Sequence, residues 1–119
     1  MGAADPLSRA FSALGDPTRR DIIARLAVGD ATLSELAEGY DVTVQAVAKH
    51  LKVLEDSGLV TRGRDAQRRP VHLEPEVFEL MTKWIERYRR RAEERYQRLD
   101  LVLATTEGPG PEPNGGASP

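Results

Sequence analysis

Gln45, Lys49 and Lys52 stand four and three residues apart, so on a helix they share one face. Their chemistry is that of reading a base-pair edge. A glutamine amide pairs bidentately with adenine, and a lysine ammonium binds guanine or a backbone phosphate. Ala46 beside them is small enough to permit close approach and to touch a thymine methyl. A second set follows in Arg62, Arg64, Arg68 and Arg69, whose guanidinium forks suit phosphate oxygens. From Val44 to Leu73 six bases stand against three acids, a net +3 in a chain of formal charge −2. A local basic surface on an acidic body is compatible with phosphate binding. Taken alone, the helix reads better as an ordinary amphipathic surface helix with solvated lysines. The segments around it reverse that balance.

The helix carrying this face has an apolar side formed by Val44, Val47, Leu51 and Leu54, spaced three, four and three apart. That side should pack on Leu33, Leu36 and the helix around Ile22. Thr43 is a good N-cap, and Gly58 should stop the helix after Ser57. Thr32-Leu33-Ser34-Glu35 has capping-box spacing, in which Thr32 and Glu35 satisfy each other's free backbone N–H. The short helix it opens carries Leu33, Leu36 and Ala37, with Gly39 just past its end. Upstream, Asp5 to Leu14 predicts an amphipathic helix with Leu7, Ala10, Phe11 and Leu14 on one side, ended by Gly15. Asp16-Pro17 starts the next helix, Asp16 as cap and Pro17 at the first helical position. It runs to about Ala27 on Ile22, Ile23 and Leu26 before Gly29-Asp30 breaks it. Past Gly58 the period changes: Leu59 to Arg62 reads as a strand, Arg64 to Gln67 as a turn and Arg68 to Leu73 as a returning strand. Pro70 donates no ladder hydrogen bond, so this strand is expected at an edge.

Glu74-Pro75 starts a last helix, expected over Glu76 to Ala104. Its apolar residues Val77, Met81, Trp84, Tyr88, Ala92, Tyr96, Leu99 and Leu103 keep to one stripe. At 1.5 Å per residue such a helix is ~40 Å long. A small domain cannot bury that stripe by itself, which favours an intermolecular seam over a helix lying on its own core. The series Arg87, Arg89, Arg90, Arg91, Arg95 and Arg98 alternates with Glu86, Glu93 and Glu94, and reads as a salt-bridge-laced exposed face rather than a second nucleic-acid site. Arg19 and Arg20 are expected in structural ion pairs. From 107 to 119 Gly and Pro dominate and nothing apolar can anchor the chain, so a disordered tail is expected beyond a single domain over 1–106.

Composition excludes much else. The chain has 119 residues, 39% hydrophobic and 30% charged, and no cysteine. Disulfides, thiolate metal sites and cysteine nucleophiles are therefore absent. No apolar run approaches the ~20 residues that span a bilayer, and the first residues lack a signal-peptide pattern. A cytoplasmic protein without membrane partners is expected. No Ser-His-Asp set has strand–turn context and no Gly-rich phosphate loop occurs, so no catalytic residues are assigned. Neither His50 nor His72 has a partner at metal-ligand spacing.

In order and motif the chain resembles the ArsR/SmtB family of winged helix-turn-helix repressors. The resemblance covers roughly Leu7 to Leu103. Phe11-Ser12-Ala13-Leu14-Gly15-Asp16-Pro17-Thr18-Arg19-Arg20 is similar to the family's opening, Thr43 to Leu54 to its recognition helix, and Ser57-Gly58-Leu59-Val60 to its approach to the wing. The Trp84 and Tyr88 region resembles metal-independent members. The resemblance implies a homodimer whose first and last helices form the interface, with Leu7, Phe11 and Leu14 joining Val77, Met81, Trp84, Tyr88, Ala92, Tyr96 and Leu99. It implies that Thr43, Val44, Gln45, Ala46, Lys49 and His50 face operator DNA, with Arg62, Arg64, Arg68 and Arg69 on the wing. His50 stands equally as a boundary hydrogen-bonding residue and as a phosphate contact. The chain departs from the family in having Ala48 where Ser is common, Gln45 where Pro or Ser is common, and Pro70-Val71-His72 where the returning strand often carries Tyr. The family's thiolate metal site falls on Leu36 to Tyr40, and its histidine site falls on a last helix with no His.

The expected fold is mainly α with a small β-hairpin wing, in the order α-α-α-α-β-β-α, dimeric. The expected function is a DNA-binding transcriptional repressor on a palindromic operator, autoregulatory, without metal or cofactor and not an enzyme. Two rivals stand beside it. One is a winged-helix module that binds another protein, against which the polar Gln45, Lys49 and Lys52 face argues. The other is a regulator responding to an apolar ligand between the terminal helices.

Overall fold

The computed structural model describes residues 5–64 and 68–107. In chain order these form α1 (Pro6–Ala13), α2 (Pro17–Val28), α3 (Leu33–Glu38), α4 (Val44–Asp56), β1 (Val60–Arg62), β2 (Val71–Leu73) and α5 (Pro75–Glu107). This is the mainly helical architecture with a two-stranded antiparallel wing that the sequence predicts. Asp65, Ala66 and Gln67 of the expected turn lie outside the described residues. So does the expected tail, apart from Glu107, which closes α5.

Three caps stand where the sequence places them, at Asp16, Thr32 and Thr43, and α1 begins at a further one, Asp5. Asp5, Asp16, Thr32 and Thr43 accept from the backbone N–H groups of Ser8, Arg19, Glu35 and Ala46. Thr32 and Glu35 complete the reciprocal capping box, at 3.2 and 2.9 Å. Each such oxygen satisfies one of the donors a helix start leaves free. Helix α4 ends in a Schellman turn: the Leu59 N–H bonds the Leu54 carbonyl at 3.1 Å and the Gly58 N–H bonds that of Glu55 at 3.0 Å. Gly58 adopts φ +82°, the left-handed conformation that glycine enters without a Cβ penalty. A Cβ there would also press on Val77 Cγ2 at 3.1 Å.

The chain divides after Lys83 into two compact units. In the first, Ile22 and Leu26 of α2, Leu36 of α3, Val47, Leu51 and Leu54 of α4, and Leu59, Val60 and Val71 of the wing form one buried cluster with Ala10, Ala13 and Met81. Fully burying one such large aliphatic side chain contributes roughly 1.5–3 kcal/mol. This cluster is what holds α4 in place.

The wing pairs Val60 with Leu73, Thr61 with His72 and Arg62 with Val71. Val71 also forms a bridge to Ala31, donating to its carbonyl at 2.7 Å and accepting from its N–H at 3.2 Å. β2 is an edge of the two-stranded sheet, as expected, with Val71 also bridged to Ala31. Pro70 does not interrupt a ladder because it precedes the strand, and its carbonyl accepts from the Gly63 N–H at 2.7 Å.

In the second unit, the part of α5 from Trp84 on, Arg89 bonds Glu86 at 3.0 Å and Glu93 at 2.6 Å. The Trp84 and Tyr88 rings lie 4.8 Å apart at 51°. Among the described residues no helix is long and apolar enough to cross a membrane.

Candidate nucleic-acid interface

Helix α4 is fixed on one side and open on the other. Val47, Leu51 and Leu54 are fully buried, and Gln45, Lys49 and Lys52 are exposed. Ala46 is half-buried between the two sides. Lys52 lies 3.1 Å from Asp56 one turn on, an exposed pair of the kind that constrains a side chain little. Val44 was expected in the core and is instead 48% exposed. It shares the meridian of the buried residues but sits in the first turn, where the preceding Asp41, Val42 and Thr43 are all exposed. Thr43, Val44, Gln45 and Lys49 thus form a continuous open face at the helix start.

His50 belongs to the margin of that face. Its Nδ1 lies 3.3 Å from Nη1 of Arg19 and 3.9 Å from the Asp16 carboxylate. It occupies the boundary role, bonded to the first turn of α2. Asp16 caps that same turn, and the Arg19 backbone N–H holds its carboxyl below the usual range, with His50 and the Arg19 charge adding to the effect. Among the described residues Arg19 and Arg20 form no ion pair, contrary to expectation. Arg19 Nε donates to the Ala13 carbonyl at 2.6 Å and Arg20 Nη1 to that of Leu14 at 2.7 Å. Both close the C-terminal end of α1, whose last carbonyls otherwise lack partners.

The four wing arginines separate into two kinds. Arg62 Nε lies 3.7 Å from Glu55 of α4, and its side chain is 19% exposed. Arg68 Nη2 lies 2.9 Å from Glu35, the capping-box carboxylate of α3. These two tie the wing to the helices. Arg64 and Arg69 lie on the outside, and Arg69 adopts φ +48°. His72 stands 3.7 Å from Asp30.

One cluster was not legible in the sequence. Arg25 of α2 donates to the Leu36 carbonyl at 2.8 Å and the Glu35 carbonyl at 3.1 Å, and stacks 5.0 Å from the Tyr40 ring centre. The Tyr40 hydroxyl donates to Asp21. Burial, then that bond, pushes the hydroxyl's pKa up. This clamp fixes the turn between α3 and α4, and hence where the reading helix starts. A Cβ on Gly39 would fall 2.5 Å from Arg25 Nη1 and oblige this side chain to shift. The signal was hard to find because Arg25 lies on α2 and Gly39 just past the end of α3, with no shared period.

Of the expected seam residues, Leu7, Phe11, Leu14 and Val77 pack partly buried against the protomer's own core, and Met81 is 7% exposed within it. In the second unit Trp84, Tyr88, Ala92, Tyr96 and Leu99 are exposed. A groove of about 250 Å³ lies between α1 and α4, lined by Ser8, Arg9, Ser12, Val53, Asp56 and Ser57; the rival ligand reading expected an apolar pocket between the terminal helices instead. Among the described residues no three His, Asp or Glu side chains converge as metal ligands.

A helix-turn-helix domain family model (HTH_20) matches residues 14–63, from the α1 end to the wing. The HTH-type transcriptional regulator Rv2034 of Mycobacterium tuberculosis is 38% identical over 91 residues, 76% of this chain and 85% of that protein. The transcriptional repressor SdpR of Bacillus subtilis is 28% identical over 79 residues, 66% of this chain and 88% of that protein. The crystal structure of an ArsR family transcriptional regulator, RHA00566, superposes with a TM-score of 0.70 at 36% identity, covering 75% of this chain and 98% of the other. A buried helix pair, an open third helix face and a basic hairpin define a winged helix-turn-helix protein, a DNA-binding transcriptional regulator. The chain belongs to the ArsR family.

Proposed function

We propose that the chain is a homodimeric repressor that inserts α4 of each protomer into a major groove. The observation that carries this reading is the two-sided character of α4: Val47, Leu51 and Leu54 are fully buried, while Gln45, Lys49 and Lys52 point outward. Gln45, Ala46 and Lys49 supply base discrimination, each good bidentate pair being worth roughly 1–3 kcal/mol. Arg64 and Arg69 supply phosphate contacts on the wing, with Thr43 and Val44 flanking the groove face. The two half-sites lie about one helical turn apart on an imperfect palindrome. Residues 1–106 act as one DNA-binding and dimerising domain, with the exposed aromatic stripe of α5 as the seam.

Repression follows from occupying promoter DNA, the promoter of its own gene included, and the similarity to a protein named as a repressor supports it. The chain works in the cytoplasm as a binding protein without catalytic chemistry. It needs no metal, since it has no cysteine and no histidine on α5. Lys49→Ala tests the reading in a shift assay at fixed salt. Binding to the DNA upstream of its own gene should weaken with the fold intact, and unchanged affinity would remove α4 from the interface.

A further inference from the structure

The second unit opens with a run of arginines. From Trp84 to Arg98 six arginines stand against three glutamates, a net +3 in fifteen residues, the same excess that Val44 to Leu73 spreads over thirty. The expectation was that ion pairs would neutralise this face. Among the described residues they do so at one position only: Arg89 takes both Glu86 and Glu93. Arg87 and Arg91 lie 6.0 and 5.4 Å from the Tyr88 ring centre. No ion pair forms at Arg90, Arg95 or Arg98 among the described residues, and all three are exposed.

The five arginines other than Arg89 also share a side. At about 100° per residue, Arg87, Arg91, Arg95 and Arg98 fall within about 80° of arc and Arg90 about 60° beyond, with Glu94 the one acid among them. Arg89, turned away, pairs with Glu86 and Glu93. Trp84 falls inside this arc between Arg91 and Arg95, Tyr88 about 20° past Arg95 and Tyr96 about 100° past it.

We propose that this stripe is a second DNA-contacting surface, one that binds the phosphate backbone without reading sequence. The inference rests on the reading of the chain as a DNA-binding regulator. Charge complementarity selects the occupant. From Arg87 to Arg98 the helix rises about 16 Å, over which one DNA strand presents about five phosphates at 3.4 Å of axis each. Five arginines of fixed charge face five phosphates. The stripe adds affinity and salt dependence to every duplex, whatever its sequence, while α4 supplies discrimination.

The test is the full-length variant Arg90→Gln/Arg95→Gln/Arg98→Gln, which keeps good helix formers and spares the two arginines over Tyr88. The probes are a random-sequence duplex and the DNA upstream of its own gene. The slope of log Kobs against log salt should flatten by about 0.9 per lost contact, equally on both probes, with helicity and the sedimenting species unchanged. A slope equal to that of the unaltered protein overturns the proposal. A fall to a smaller species overturns it as well, because the arginines then serve self-association. Lys49→Ala, measured alongside, separates the two readings: it should reduce preference for the upstream DNA and leave the stripe's contribution on random DNA in place. If Lys49→Ala has no effect while the triple variant flattens the slope, the assignment of α4 fails and the stripe stands.

Discussion

The guanidinium of Arg19 lies 3.3 Å from Nδ1 of His50, so the first turn of α2 holds the middle of the reading helix. The same arginine bonds the Ala13 carbonyl at 2.6 Å. One side chain thereby joins the end of α1, the start of α2 and the centre of α4. His50→Ala should cost about 1 kcal/mol, the net value of a typical hydrogen bond, in urea unfolding, and should loosen α4 enough to lower DNA affinity. Unaltered stability would mean that the contact does not fix the helix.

Acid should destabilise the protein through its helix caps. Asp16 and Glu35 are held below the ordinary carboxylate range, Asp16 first by the Arg19 N–H and Glu35 first by the Thr32 N–H. A depressed carboxyl contributes stability above its unfolded value, about 3.9 for Asp, and loses it as pH falls through the lowered folded value. Asp16→Asn keeps a good cap and removes one titrating group. Its loss of stability between about pH 5 and pH 2 should be shallower than that of the unaltered protein, as read by thermal melts across that range. Parallel curves would exclude Asp16 as a contributor.

These capping carboxylates show what the sequence disclosed most fully. Asp16-Pro17, Thr32 with Glu35, Thr43 and Gly58 are local devices, each complete within a few residues, and all four stand where they were read. The apolar period of α4 likewise located its open face. What failed was tertiary. The Ala31 to Val71 bridge is a single residue pair with no period to detect. Arg19 and Arg20 were expected to pair with acids and instead bond carbonyls at the end of α1. Val44 kept the period of the core but lies beyond the helices that would cover it. On the wing, charge alone did not tell Arg62 and Arg68, held by Glu55 and Glu35, from Arg64 and Arg69.

That distinction is measurable. Arg64→Ala should weaken binding uniformly across sequences and reduce the salt slope by about 0.9. Arg62→Ala should change the slope much less, because its side chain is 19% exposed beside Glu55. Equal slopes for the two variants would mean that the wing reorganises on DNA and frees Arg62.

Trp84 tests the seam. The residue is 41% exposed, and its ring lies 4.8 Å from that of Tyr88. Trp84→Glu should shift sedimentation from dimer to monomer while helicity persists. An unchanged dimer would place the interface elsewhere.

The most direct measurement is footprinting on the DNA upstream of its own gene, comparing the unaltered protein with Gln45→Ala/Lys49→Ala. The expected result is protection of two half-sites about one helical turn apart, lost in the double variant at the same salt concentration and with the same helicity. Equal protection by both proteins would contradict the assignment of Gln45 and Lys49 as the reading face.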